Sequence, residues 1–141
     1  MAVDKYALMS TPFDVFKDML LEAPGAALAE RGFALQDDAI QMRSGLYRFG
    51  RPAQDDAPAF VDVQLLFYAG GGPSRFEVKV WRSNRPGDKT QLGAWLGAHG
   101  VETLADERGW WEFVSERELR EALQDATTGI LRLLDAKSAG N

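Results

Sequence analysis

Hydrophobic and polar positions alternate with a period of two in two runs near the middle of the chain, residues 60–69 and 75–83, on either side of Gly70-Gly71-Gly72-Pro73. In the first run Val61, Val63, Leu65 and Phe67 alternate with Asp62, Gln64, Leu66 and Tyr68. In the second, Phe76, Val78 and Val80 alternate with Glu77, Lys79 and Trp81. Successive side chains of a strand point to opposite faces, so the pattern predicts an antiparallel hairpin with one apolar face and one mixed face. The apolar sets must share a side, which constrains the register. A loop over residues 70–73 meets that constraint by pairing Phe67 with Phe76, Leu65 with Val78 and Val63 with Val80. On the mixed face it pairs Tyr68 with Arg75, Leu66 with Glu77, Gln64 with Lys79 and Asp62 with Trp81.

Helical spacing brackets the strands. Phe13, Phe16, Met19 and Leu20 form a stripe behind Thr11-Pro12, a capping residue followed by a proline suited to the first helical turn, with Asp14 in the favourable dipole position. Pro24-Gly25 interrupts this stripe, and a second helical stretch over residues 26–31, whether part of one kinked helix or a separate one, ends at Gly32, a residue suited to a left-handed cap. Residues 33–36 read as a short strand and residues 40–43 and 46–49 as one or two more, with a turn at Asp37-Asp38 and a turn or bulge at Ser44-Gly45. Polar loops follow over residues 50–58 and 84–89. Thr90 is placed to cap a short helix through residue 98, carrying Leu92, Trp95 and Leu96 and closed by Gly100. Residues 110–114 read as a last strand. Ser115 and Glu118 then form a capping box for a closing helix over residues 116–134. Its stripe is Leu119, Ala122, Leu123, Ala126, Ile130, Leu133 and Leu134.

This order predicts one α+β domain over residues 1–141. A single antiparallel sheet of about four to six strands would carry N- and C-terminal helices on one face, with a short inserted helix, and residues 1–9 and 136–141 as frayed ends. In the last strand, Trp111 and Phe113 on the core side leave Trp110, Glu112 and Val114 on the other. The mixed face then gathers Leu66, Tyr68, Arg75, Lys79, Trp81, Trp110 and Glu112, the candidate binding residues of the chain. Apolar rings beside cations on a sheet face call for a cover. The inserted helix, a second copy or another protein, or a small ligand could provide it.

Composition narrows the chemistry. The chain has 141 residues, 45% hydrophobic and 26% charged, with no cysteine and a net charge of −5. It is long enough for one core without staples. The missing thiols exclude disulfides, cysteine nucleophiles and cysteine-ligated metals. The acidic balance weighs against a nucleic-acid partner. No basic leader precedes an apolar stretch, and no run reaches the length of a membrane span, so a soluble cytoplasmic protein is expected. The charge is uneven: residues 43–89 hold eight basic and five acidic residues, so a mildly basic sheet is flanked by acidic helices. His99 is the only histidine, which leaves no second imidazole for a metal site. No Gly-x-Ser-x-Gly elbow is present. The glycine run lies between strands, where it reads as turn chemistry rather than a phosphate loop. Asp37-Asp38, Asp55-Asp56 and Asp106-Glu107 lack calcium-loop spacing. Glu112, near Trp110, would be a carboxylate in an apolar setting if buried. No catalytic residue, cofactor or metal is assigned.

A leading helix ending in Arg31-Gly32-Phe33, a strand meander, and Trp111-Glu112-Phe113 running into a capped helix resemble small bacterial α+β proteins of unknown function, some found beside toxin or secretion systems. The acidic, cysteine-free build is also similar to that of type III secretion chaperones. The resemblance implies a non-enzymatic cytoplasmic protein-binding or adaptor domain, chaperone-like or immunity-protein-like, with a protein partner or self-association and neither nucleic acid nor membrane. The alternative is a small-ligand-binding domain or small enzyme with a pocket between sheet and helices.

Overall fold

A computed structural model describes residues 12–54, 57–68, 72–82 and 87–138. Helix α1 (Pro12–Leu20) passes through a π-helical turn (Leu21–Gly25) into α2 (Ala26–Ala29) without leaving helical backbone angles. The interruption expected at Pro24-Gly25 is therefore a widened turn in a continuous run. Pro24 has no N–H to return to the preceding turn and its ring crowds that turn's carbonyl; the π geometry accommodates both. Gly32, at φ 88°, ends the run. The Thr11 cap lies outside the described residues.

Strand β1 (Ala34–Leu35), helix α3 (Ala39–Arg43), and strands β2 (Leu46–Gly50), β3 (Phe60–Leu66), β4 (Ser74–Trp81) and β5 (Thr90–Gln91) follow. Helix α4 (Leu92–Ala98), strand β6 (Trp111–Phe113) and helix α5 (Glu116–Ser138) complete the chain. Two elements differ from the sequence reading. Residues 40–43 are helical, because the Asp38 carboxylate accepts the backbone N–H groups of Ile40 and Gln41 and starts a turn. Thr90 caps nothing: it pairs with Val80 in β5, and α4 begins after Gln91 without a side-chain cap. The closing helix also runs on to Ser138, past the expected fraying at residue 136. The expected N-terminal frayed end, residues 1–9, lies outside the described residues.

The described strands form one antiparallel sheet in the order β1-β2-β3-β4, with β5 and β6 sharing the far edge of β4. One face is apolar. Phe16 of α1 packs on Tyr47, Phe76 and Phe113 at ring distances of 5.4, 5.8 and 6.4 Å. The whole α5 stripe, from Leu119 to Leu134, is buried in the same core. Leu92 and Leu96 of α4 join it, with Trp95 packed at its margin. The inserted helix therefore packs beside α5 on the core side and does not cover the mixed face. No helix among the described residues is long and apolar enough to cross a membrane.

The β3–β4 parity is as expected, but the register is shifted by two residues and the last pair leaves a longer connection than the expected loop over residues 70–73. Val61 faces Val80, Val63 faces Val78 and Leu65 faces Phe76; the last pair is Leu66 with Arg75. None of the expected pairs occurs: Phe67 and Tyr68 lie beyond β3, and Leu65, Val63, Leu66, Gln64 and Asp62 each face a residue two positions earlier in β4 than expected. Gly45, at φ 86°, lies just before β2 and accepts the Leu65 N–H at 2.8 Å, so β2 and β3 stay joined up to the end of β3. A Cβ at Gly45 would meet the Leu65 carbonyl oxygen at 2.3 Å, so no other residue allows this approach. On the other strand, Ser74 faces Phe113 and its hydroxyl accepts the Tyr68 N–H. Phe67 leaves the sheet and packs on Phe13 at 6.1 Å. Part of the expected loop, residues 70 and 71, lies outside the described residues.

Tyr47 tests this core. It is 1% exposed, with its hydroxyl donating to the Phe13 carbonyl at 3.3 Å. Burial, then the Asp14 carboxylate, push its pKa up to about 12. The unfolded phenol ionises near 10. Its contribution is complete below that value and is lost as pH rises through about 12. Wild type should therefore lose up to about 2–3 kcal/mol relative to Tyr47→Phe across this window. Urea unfolding of both proteins at a series of alkaline pH values measures it. A constant difference between them would contradict the burial of the hydroxyl.

Candidate functional site

The mixed face divides into two ends. At one, Asp62 is 5% exposed although charged. It accepts two hydrogen bonds from Arg48, at 2.7 and 3.0 Å, and one from Trp81 Nε1 at 3.0 Å, with Lys89 Nζ at 3.7 Å. Its hydrogen bond holds the Arg48 guanidinium above its ordinary pKa, against the opposing effect of burial. Phe60 stacks on Trp81 at 4.3 Å, and Arg48 and Lys89 lie over the Trp81 ring. Trp81, expected on an open face, is therefore 9% exposed and already covered by its own neighbours. Lys79 faces Asp62 across the ladder and approaches Glu77 at 3.9 Å.

The other end, about 20 Å along β4 at the usual strand rise, gathers Leu66, Tyr68, Arg75 and Glu112. Arg75 faces Leu66 on one side and Glu112 on the other. Its guanidinium carbon lies 5.8 Å from the Tyr68 ring centre, and its Nε is buried without a hydrogen-bond partner. Glu112 is exposed, so the apolar setting considered for it is absent. Trp110 stands just outside β6, half-buried, its backbone bound at both N–H and C=O to Asp106. The seven candidates thus form no single site: four meet at one end, Lys79 and Trp81 lie at the other, and Trp110 is held by a turn.

The tertiary structure adds a groove at the Leu66–Glu112 end, on the core side of the sheet. Val15 and Phe16 of α1, Leu65, Phe67 and Tyr68 of the β3 end, Phe113 of β6 with Val114 just after it, and Leu119 of α5 line a groove of about 360 Å³. Phe67, Tyr68 and Val114 are 38%, 46% and 70% exposed, so three large hydrophobic side chains meet water around one opening. The capping box shapes its rim. Ser115 Oγ accepts the Glu118 N–H, and Glu118 reaches back to the Val114 N–H at 2.8 Å, which fixes the exit of β6 into α5. Glu116 lines the groove, and Glu116 and Glu118 offset the positive end of the helix.

Phe67 and Val114 were absent from the sequence candidates. Alternation assigned Phe67 to the core. Val114 was placed on the mixed face, but nothing marked its meeting with Phe67. His99 is exposed; its Nδ1 lies 2.8 Å from the Trp95 carbonyl and its ring packs on Trp95. It borders a polar cavity of about 490 Å³ with Asp125 and Arg132. Asp125 is already occupied by Thr103 Oγ1, the Leu104 N–H and Trp111 Nε1. No protein-family model, curated protein or solved structure matches this chain.

Proposed function

We propose that this chain is a non-enzymatic cytoplasmic protein-binding or adaptor domain, of the chaperone or immunity-protein kind, that docks a partner in the groove between α1, α5 and the β3–β6 end of the sheet. The observation that carries this reading is the convergence of Phe67, Tyr68 and Val114, all exposed, on one apolar opening. Apolar surface gathered at a concavity is the usual mark of an interaction site. Affinity capture with wild type and with Val114→Asp tests it. Val114 is 70% exposed, so the variant should unfold within about 0.5 kcal/mol of wild type. A protein retained by wild type and lost with Val114→Asp is the expected result. Identical captures by the two proteins would overturn the reading.

The second reading is a small apolar ligand in the same groove. Its volume of about 360 Å³ is favourable, lying at the lower end of ordinary ligand sites. A small molecule retained through native mass spectrometry and displaced by Val114→Asp would favour it.

A further inference from the structure

The charge around the groove specifies its occupant. Val114 is the ridge between two depressions. On one side lies the apolar groove, whose charged lining residue among those described is Glu116. On the other lies a cavity of about 420 Å³ that shares Phe113 and Val114 and is lined by Glu112, Glu118 and Glu121. No Lys or Arg lines either depression among the described residues. Arg117 pairs with Glu121 at 3.4 Å, but with 88% of its side chain exposed it is held only weakly. Arg75 faces Glu112 across the ladder and lies over Tyr68.

We infer that the groove takes a protein segment that sets apolar side chains against Phe67 and Val114 and a lysine or arginine over Val114 into the Glu112–Glu121 cavity. This inference rests on the protein-binding reading of the same groove. An acidic segment would meet like charge on both sides of the ridge, and an uncharged one would gain nothing from the carboxylates. The helix start does not reverse this preference, since Glu116 and Glu118 already occupy its first turn.

Selection of a display library of random peptides, about twelve residues long, on the intact protein tests the inference. Enriched sequences should combine two or more large apolar residues with at least one Lys or Arg. One enriched peptide and its version with Lys and Arg replaced by Gln are then titrated by fluorescence anisotropy. Against Glu112→Gln/Glu116→Gln/Glu121→Gln, which leaves the Glu118 cap intact, the basic peptide should weaken about tenfold and the neutral version less than about twofold. Val114→Asp should release both. Enrichment of acidic sequences, or no enrichment beyond that on Val114→Asp, overturns the inference. So does equal weakening of the two peptides. Neutral peptides that depend on Val114 but ignore the carboxylates overturn the charge specification and leave the groove reading standing. A partner whose binding ignores Val114→Asp overturns both. Dimerisation abolished by Val114→Asp would make a second copy the occupant. A gain in peptide affinity on Leu8→Ser/Met9→Ser would assign the groove to the chain's own leading residues. Either result overturns the inference.

Discussion

Asp62→Ala should destabilise the fold by about 3 kcal/mol, the lower end of the range for orphaning one partner of a buried ion pair. The carboxylate is 5% exposed and accepts from Arg48 twice and from Trp81 Nε1. Its removal leaves a guanidinium lying over the stacked Phe60 and Trp81 rings, with centroid distances of 5.6 and 4.9 Å. The lower end applies because 19% of the Arg48 side chain meets water. Replacing both charges, Asp62→Leu with Arg48→Met, should recover part of the loss, since the guanidinium leaves with its carboxylate while Trp81 Nε1 and Lys89 still lose their partner. Urea unfolding at unchanged slope measures the difference. Tryptophan emission should shift to the red in Asp62→Ala as Trp81 loses its cover. A cost below about 1 kcal/mol, or a double variant worse than the single, would mean that the cluster is solvated. Its integrity assigns Trp81 a structural duty in the Asp62 cluster.

Trp111→Ala should cost about 3–5 kcal/mol, the usual range for truncating a large buried aromatic. The ring is fully buried and stacks on Phe76 at 5.4 Å and 8°. Its Nε1 donates to Asp125, which also holds the Thr103 hydroxyl and the Leu104 N–H. One carboxylate on α5 thus ties β6 and the preceding loop to the helix. Trp111→Phe keeps most of the packing and removes one donor from Asp125, so about 1–2 kcal/mol is expected. The larger truncation should also impair partner capture, because β6 carries Phe113 and Val114 to the groove; the smaller one should leave it intact. Urea unfolding and capture by each variant check the pair. A cost for Trp111→Ala no greater than that for Trp111→Phe would contradict the packing at β6.

Much of the fold was legible because local periodicity carries it. The α5 stripe from Leu119 to Leu134 is buried as its spacing requires, and Ser115 and Glu118 cap that helix. The alternation of Val61, Val63 and Leu65 with Phe76, Val78 and Val80 placed both sets on the core face. Residues 40–43 depart from their strand pattern because Asp38 capping competes with strand propensity over a segment too short to show a period. Thr90 was misread because a threonine before an apolar run suits a cap, while the free edge of β4 offered it a partner.

The candidate site was legible only in part. Leu66, Tyr68, Arg75 and Glu112 do meet, but Lys79 and Trp81 belong to the Asp62 cluster. Alternation states which residues share a face. It does not state which residue faces which, and here the two strands are shifted by two residues from the expected pairing while parity is kept.

By itself the sequence determined the α+β class, the core face of the hairpin and the long capped helix, since each depends on contacts between near neighbours in the chain. Tertiary structure alone decided that the inserted helix packs beside α5, that Trp81 is enclosed by Asp62, Arg48 and Lys89, and that Phe67 and Val114 meet at one opening. Those outcomes depend on register and on strand edges, which are set by hydrogen bonds between residues distant in sequence and leave no period along the chain.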